Sequence, residues 1–184
     1  MKNTLVFLIL TFSVLNQKNL MSQNIVYKFD NNSDVTNWMI VNDDVMGGIS
    51  SCDMYIDKNG NGVFEGQISI ANNGGFSSIR LNLEKVAVKE GAYFQIKLKG
   101  DNKEYQFRIK TNRSDYYSYI IPFKTSSEWE TITIPIKDMY PSFRGRRLDM
   151  HKFNKDYLEQ ITFLVGNKKN ETFKLTIDSI LLFN

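Results

Sequence analysis

The chain has 184 residues, 13% of them aromatic, with one cysteine, one histidine and a formal net charge of +3. Its length is about that of one domain, and its large side chains suffice for a substantial core. The single cysteine excludes an intramolecular disulfide and a cysteine metal cluster, and so small a net charge points to no partner by global attraction.

The first predicted element is a leader. Lys2 precedes an apolar run over residues 5–15, broken only by Thr11 and Ser13, and polar Asn16, Gln17, Lys18 and Asn19 follow. A charged start, a short apolar stretch and a polar exit make a secretory signal pattern. The run falls well short of the roughly 20 residues that a helix needs to cross a bilayer, so an uncleaved anchor is the second choice. Cleavage is expected after Ser22. Residues 1–22 are then the signal peptide and 23–184 the mature domain, secreted or periplasmic, without a transmembrane span. Losing Lys2 and Lys18 and no acid takes the net charge from +3 to +1.

Four residues after Trp38, the stretch Asn42-Asp43-Asp44-Val45-Met46-Gly47-Gly48-Ile49-Ser50 interrupts a strand-like chain with two acids and two glycines. Glycine allows positive φ or close backbone approach, and Asn and Asp bond local backbone, so the stretch reads as an ordered loop. Alternating apolar residues then recur: Phe64, Ile68 and Ile70; Ile79, Leu81 and Leu83; Phe94, Ile96 and Leu98; Tyr105, Phe107 and Ile109. They continue with Ile132, Ile134 and Ile136, then Ile161, Phe163 and Val165, and finally Phe173, Leu175 and Ile177. A period of two is the mark of half-buried strands. Turn signals at residues 58–62, 72–75, 99–102 and 166–170 separate the runs and offer positive φ where strands reverse. A short helical turn is expected near residues 154–160. With no sustained helical period, linker or repeat, the pattern predicts an all-β fold, a single jelly-roll-like β-sandwich.

Several blocks in order carry a family resemblance: Trp38 with the loop over 42–50, Gly62-Val63-Phe64-Glu65-Gly66, and Gly75-Phe76-Ser77-Ser78-Ile79-Arg80. Tyr105-Gln106-Phe107-Arg108, Pro141-Ser142-Phe143-Arg144-Gly145-Arg146 and Phe173-Lys174-Leu175-Thr176-Ile177-Asp178 complete it. Together they resemble the complex I intermediate-associated protein 30 family across the mature chain. The resemblance implies a galactose-binding-like jelly roll, shared with carbohydrate-binding modules, and a role in binding or assisting assembly rather than catalysis. A role in complex I itself is not carried over, because the leader lacks the Arg-rich amphipathic character of a mitochondrial transit peptide.

Candidate contact residues follow from side-chain chemistry. Asn42, Asp43 and Asp44 either meet a ligand or cap the loop backbone. Neighbouring strand positions would point Asp43 and Asp44 to opposite faces, against a catalytic carboxylate pair. A structural calcium would need roughly 6–8 oxygens, more than this loop offers even if Asp30 and Asp178 came near, so no metal or cofactor is assigned. Arg80 alternates with Ile79 and Leu81 and should lie on the opposite face, where it and Arg108 either grip an anion or sugar hydroxyl or pair with an acid. Asp43 is one such acid, and the pair would lock the loop to the sheet. Arg144, Arg146 and Arg147, with Tyr140 and Phe143 before them, form a basic aromatic loop suited to an anionic partner. Nucleic acid uses the same chemistry, but an exported chain near charge balance argues against it. Tyr116, Tyr117 and Tyr119 follow Arg113, and alternation puts Tyr117 and Tyr119 on one side as a sugar-stacking pair.

His151 and Cys52 lie in unrelated blocks, and no Gly-x-Ser-x-Gly, His-Glu-x-x-His, Walker A or Gly-x-Gly-x-x-Gly motif occurs. No catalytic residue is assigned. The primary reading is a secreted non-catalytic module that binds a protein partner through 42–50 and 140–147. The alternative is a carbohydrate-binding module using Tyr117 and Tyr119, and the third is a small hydrolase or lyase using Asp43 or Asp44 with Arg80.

Overall fold

The computed structural model describes residues 21–184. The strands are β1 (Gln23–Lys28), β2 (Trp38–Asn42), β3 (Ser51–Ile56), β4 (Gly62–Ile68), β5 (Ser77–Ala87), β6 (Tyr93–Lys99) and β7 (Glu104–Lys110). They continue as β8 (Ser118–Lys124), β9 (Trp129–Pro135), β10 (Tyr140–Phe143), β11 (Arg146–Arg147), β12 (Tyr157–Val165) and β13 (Glu171–Phe183). One sheet runs β3-β4-β13-β6-β9 with β1 also on β13, and a seven-stranded sheet runs β11-β10-β8-β7-β12-β5-β2. Every strand pairing is antiparallel, and many neighbours are distant in sequence. This is the crossing connectivity of a jelly-roll sandwich, the fold expected above.

The alternating apolar runs fill the space between the sheets. Phe94, Ile96, Leu98, Leu175 and Ile177 face Ile79, Tyr105, Phe107, Ile161 and Phe163, each with at most a trace of exposure. Strict alternation along β13 buries Ser179 next and would then bury Leu181. Instead the ladder with β6 shifts by one residue between Ile177 and Ser179. That bulge resets the parity, so Ile180 and Leu182 turn into the core. Positive φ occurs within all four predicted turn segments, at Gly60, Asn73, Asn102 and Lys168 among others.

Two local expectations change. Residues 154–160 form no helical turn: β12 begins at Tyr157 and is laddered by β5 on one side and β7 on the other. Pairing on both edges outweighs any local preference. Strands β1, β3 and β8 lacked a clean alternating signal; β1 is defined by its ladder with β13 at the far end of the chain, whereas β3 and β8 form hairpins with their chain neighbours β4 and β7. The leader over residues 1–20 lies outside the described residues. Ser22, the proposed cleavage point, exchanges backbone hydrogen bonds with Asn184 in both directions. Among the described residues no helix is long and apolar enough to cross a membrane.

Candidate functional site

Strand β12 sits inside the seven-stranded sheet, so alternation divides its residues cleanly. Ile161, Phe163 and Val165 enter the core, while Gln160, Thr162 and Leu164 look outward. Register then builds rows across the outer face. Thr162 lies opposite Arg80 of β5 and Arg108 of β7, Gln160 opposite Asn82 and Lys110, and Leu164 opposite Ser78 and Gln106. These rows floor a trough of about 340 Å³. Gly75, Phe76 and Gly166 also line it, as do Tyr116, Phe143, Arg144 and Gly145.

The floor is braced by its own polar groups. Arg108 donates from Nε and Nη2 to Gln106 Oε1 at 3.1 and 2.5 Å. Gln160 Nε2 donates to Asn82 Oδ1 at 2.8 Å. Lys110 Nζ donates to the Asp115 carbonyl at 2.6 Å. Burial, and secondarily the charge of Arg80, push the Arg108 guanidinium down to about 10, which leaves it charged at neutral pH. Burial lowers Arg80 as well. Lys110 is lowered by burial and by Arg80, against an opposing pull from Asp115. No Asp or Glu lines the trough.

The aromatic rim comes from loops. Tyr116, 64% exposed, meets Phe143 edge-on with ring centroids 5.3 Å apart. Phe143 pairs with Arg146 across a two-residue hairpin, and the central residues Arg144 (φ 47°) and Gly145 (φ 74°) both take left-handed backbone. Such a turn matches the twist of the flanking strands. It holds the Arg144 guanidinium 5.3 Å from the Phe143 ring centroid.

Alternation correctly put Arg80 and Arg108 on the outer face, and the structure brings Arg144 to the same trough. Asp43 is elsewhere. It is buried and accepts hydrogen bonds from Ser50 N, Ser50 Oγ, Gly75 N and Phe76 N. The expected Asp43–Arg80 pair does not form, because four nearer donors occupy the carboxylate. Asn42 accepts the Cys52 thiol at 3.2 Å, and Asp44 sits in the 3-10 turn Asp43–Met46.

Tyr117 and Tyr119 do share one side, with rings 5.5 Å apart beside a separate hollow that Asp149, Met150 and His151 also line, away from the trough. Tyr119 is 2% exposed and packs edge-on against Phe153, so it belongs to the core. Tyr117 precedes β8 and touches Tyr119 without lining the trough. Tyr116 is the ring that does. Arg146 and Arg147 are exposed on β11 beyond the trough, with Arg147 over Tyr140. Gln106, Lys110, Gln160 and Thr162 were not singled out from sequence, although they alternate with core residues as visibly as Arg80 does.

Among the described residues no group of three or more His, Cys, Asp or Glu converges in metal-holding geometry. Asp178 pairs with Lys97 at 3.5 Å, and Asp30 accepts from Asn32 N and Ser33 Oγ.

The model of the Complex I intermediate-associated protein 30 (CIA30) family matches residues 27–177. Among solved structures, the chain is similar to the family 11 carbohydrate-binding module from Clostridium thermocellum in complex with a beta-1,3-1,4-mixed-linked tetrasaccharide. The TM-score is 0.62 at 20% identity, over 84% of this chain and 94% of that one. The family 11 module of a cellulosomal cellulase of Clostridium thermocellum gives 0.65 at 18% identity, over 88% and 94%. A family 29 carbohydrate-binding module gives 0.52 at 10% identity, over 88% and 87%. At these identities the likeness establishes the fold.

Proposed function

The chain belongs to the complex I intermediate-associated protein 30 family, and from that premise we propose that it is a non-catalytic carbohydrate-binding module that holds a saccharide in the trough of the seven-stranded sheet. The observation that carries this reading is the trough's construction. Hydrogen-bonding side chains lie in register on a rigid sheet, and exposed Tyr116 and Phe143 form an aromatic edge. Sugar hydroxyls need fixed donors and acceptors, and the C–H faces of a pyranose pack on aromatic rings. Modules of the same fold that are named for carbohydrate binding add support. The test is retention on a polysaccharide panel with Tyr116→Ala alongside. Saturable retention that Tyr116→Ala weakens supports the module, and a folded protein that retains none of the panel overturns it.

A protein-partner reading draws on a different surface, the exposed Arg146 and Arg147 of β11 beside Phe143. It predicts that the Arg146→Ala/Arg147→Ala double variant loses co-purifying proteins while keeping its polysaccharide behaviour. Export is part of the proposal as well. Protein recovered from outside the cytoplasm should begin at Gln23, and retention of residues 1–22 would refute cleavage there.

A further inference from the structure

Four cationic side chains, Arg80, Arg108, Lys110 and Arg144, line one trough that contains no carboxylate. None of them joins an ion pair among the described residues. Arg80 has no hydrogen-bond partner there either, although it is half-buried. Arg80 and Arg108 flank Thr162 in register, which puts their Cβ atoms about 9–10 Å apart, two strand spacings. Like charges brought together and partly stripped of water repel. Arg80 keeps its whole planar fork of donors, and Arg108, whose Nε and Nη2 donate to Gln106 Oε1, keeps the N–H groups turned away from Gln106. A neutral sugar relieves neither condition. An oxyanion relieves both, because it accepts the free N–H groups and cancels the repulsion.

Resting on the saccharide reading above, we infer that the trough selects acidic saccharides, with a carboxylate or sulfate held between Arg80 and Arg108 and the ring against Tyr116 and Phe143. Arg144 on its hairpin and Lys110 at the other row supply flanking charge for the neighbouring residues of an acidic chain. An extended nucleic-acid strand fits less well, since binding it takes a basic track along many phosphates. Here four cationic side chains are gathered in one short trough, and the chain as a whole carries a net charge of only +3.

Calorimetric titration of the purified protein tests this with three tetrasaccharides: mixed-linkage β-glucan (neutral), galacturonan (carboxylate) and sulfated galactan. A polyaspartate peptide and a single-stranded oligonucleotide serve as anions without acidic sugars. The expected result is an acidic tetrasaccharide bound about tenfold or more tightly than the neutral one, with affinity falling as NaCl rises from about 50 to about 500 mM. Whichever acidic sugar binds more tightly identifies the oxyanion. Arg108→Gln should lose about tenfold and Arg108→Lys less, while Lys58→Gln, in a turn of the other sheet, should change nothing. Circular dichroism of each variant separates lost contacts from lost fold, and Arg80→Lys provides a second probe should Arg108→Gln not fold. Equal or better binding of the neutral glucan, or an unaffected folded Arg108→Gln, overturns acid selection and leaves the saccharide reading standing. Absence of binding to all three sugars overturns both. Equally tight binding of the peptide or the oligonucleotide assigns the trough to that anion instead.

Discussion

The Asp43 carboxylate accepts the backbone N–H of Gly75 at 2.5 Å, across 32 residues of sequence. Its Oδ2 also takes Phe76 N and Ser50 Oγ, while Oδ1 takes Ser50 N. One buried side chain thus ties the 42–50 loop to the segment that forms one end of the trough. The neighbouring glycines follow from that closeness. A Cβ on Gly48 would lie 2.2 Å from Asp43 Oδ1, and one on Gly74 would lie 2.6 Å from Oδ2.

Asp43→Asn should therefore destabilise the fold by about 2–4 kcal/mol, since an amide turned either way points its NH₂ at a backbone or hydroxyl donor. Burial alone would raise the Asp43 pKa, but the hydrogen bonds from Ser50, Gly75 and Phe76 outweigh it and hold the carboxyl below its usual range. The unfolded state then binds the proton more readily. The stabilisation is present above the ordinary carboxylate value and is lost as pH falls below about 4. Urea unfolding from pH 3 to 6 should show a shallower acid-side slope for Asp43→Asn than for the wild type, and equal slopes would remove Asp43 as the source. Gly48→Ala should reproduce the destabilisation through its clash with the same carboxylate.

Tyr116 and Tyr119 should separate binding from folding. Tyr116 is 64% exposed at the rim and Tyr119 is 2% exposed against Phe153. Tyr119→Ala opens a cavity and should cost about 3 kcal/mol or more. Tyr116→Ala should leave the melting temperature within a degree or two, by the rule that surface changes are small, while weakening saccharide retention. Thermal melts and retention on the polysaccharide panel check both halves. A Tyr116→Ala protein that melts early would mean the ring is structural.

The contrast between these tyrosines marks how far the sequence could be read. Strands such as β7 were legible because Tyr105, Phe107 and Ile109 alternate with polar residues, and the same alternation put Arg80 and Arg108 on the outer face. Alternation in β8 says only that every second residue shares a face. With Tyr119, Ile120 and Ile121 in succession and Phe123 just after Pro122, neither face reads as the solvent side. Which one is buried is decided by Phe153 and the opposite sheet. The Asp43 lock was hidden for a related reason: the loop stood out as unusual, but its partners Gly75 and Phe76 arrive only through tertiary folding.

Cys52 gives a chemical check on the packing of β3. Burial above all, with a smaller contribution from Asp53, pushes its thiol up to about 11, and the thiol donates to Asn42 Oδ1. A thiol so far above neutrality contributes little thiolate, the form that reacts with disulfide reagents. At pH 8 the folded protein should react far more slowly with a disulfide dye than the urea-unfolded chain does. Equal rates would show that the thiol is open to solvent. Asn42→Ala removes the acceptor without adding charge and should speed the reaction modestly.

Arg144 should reveal a conflict between stability and binding. It holds left-handed backbone at φ 47°, a conformation that costs an ordinary side chain about 1–2 kcal/mol and that asparagine tolerates better. Asparagine followed by glycine is the favoured pair for this two-residue hairpin. Arg144→Asn, ahead of Gly145, should therefore stabilise the protein by about 0.5–1 kcal/mol in urea unfolding, within the gain seen when a residue is matched to its backbone conformation. The same change deletes a guanidinium that lines the trough and lies beside Phe143. Affinity for galacturonan or sulfated galactan tetrasaccharide should drop several-fold, by about the contribution of one charge-assisted contact at an exposed site. Both measurements are needed, because each isolates one side of the conflict. Greater stability with weaker binding means that the arginine is kept in an unfavourable backbone conformation for its charge. Greater stability with unchanged binding would place Arg144 outside the ligand's reach, and lower stability would mean that its packing on Phe143 outweighs the backbone strain.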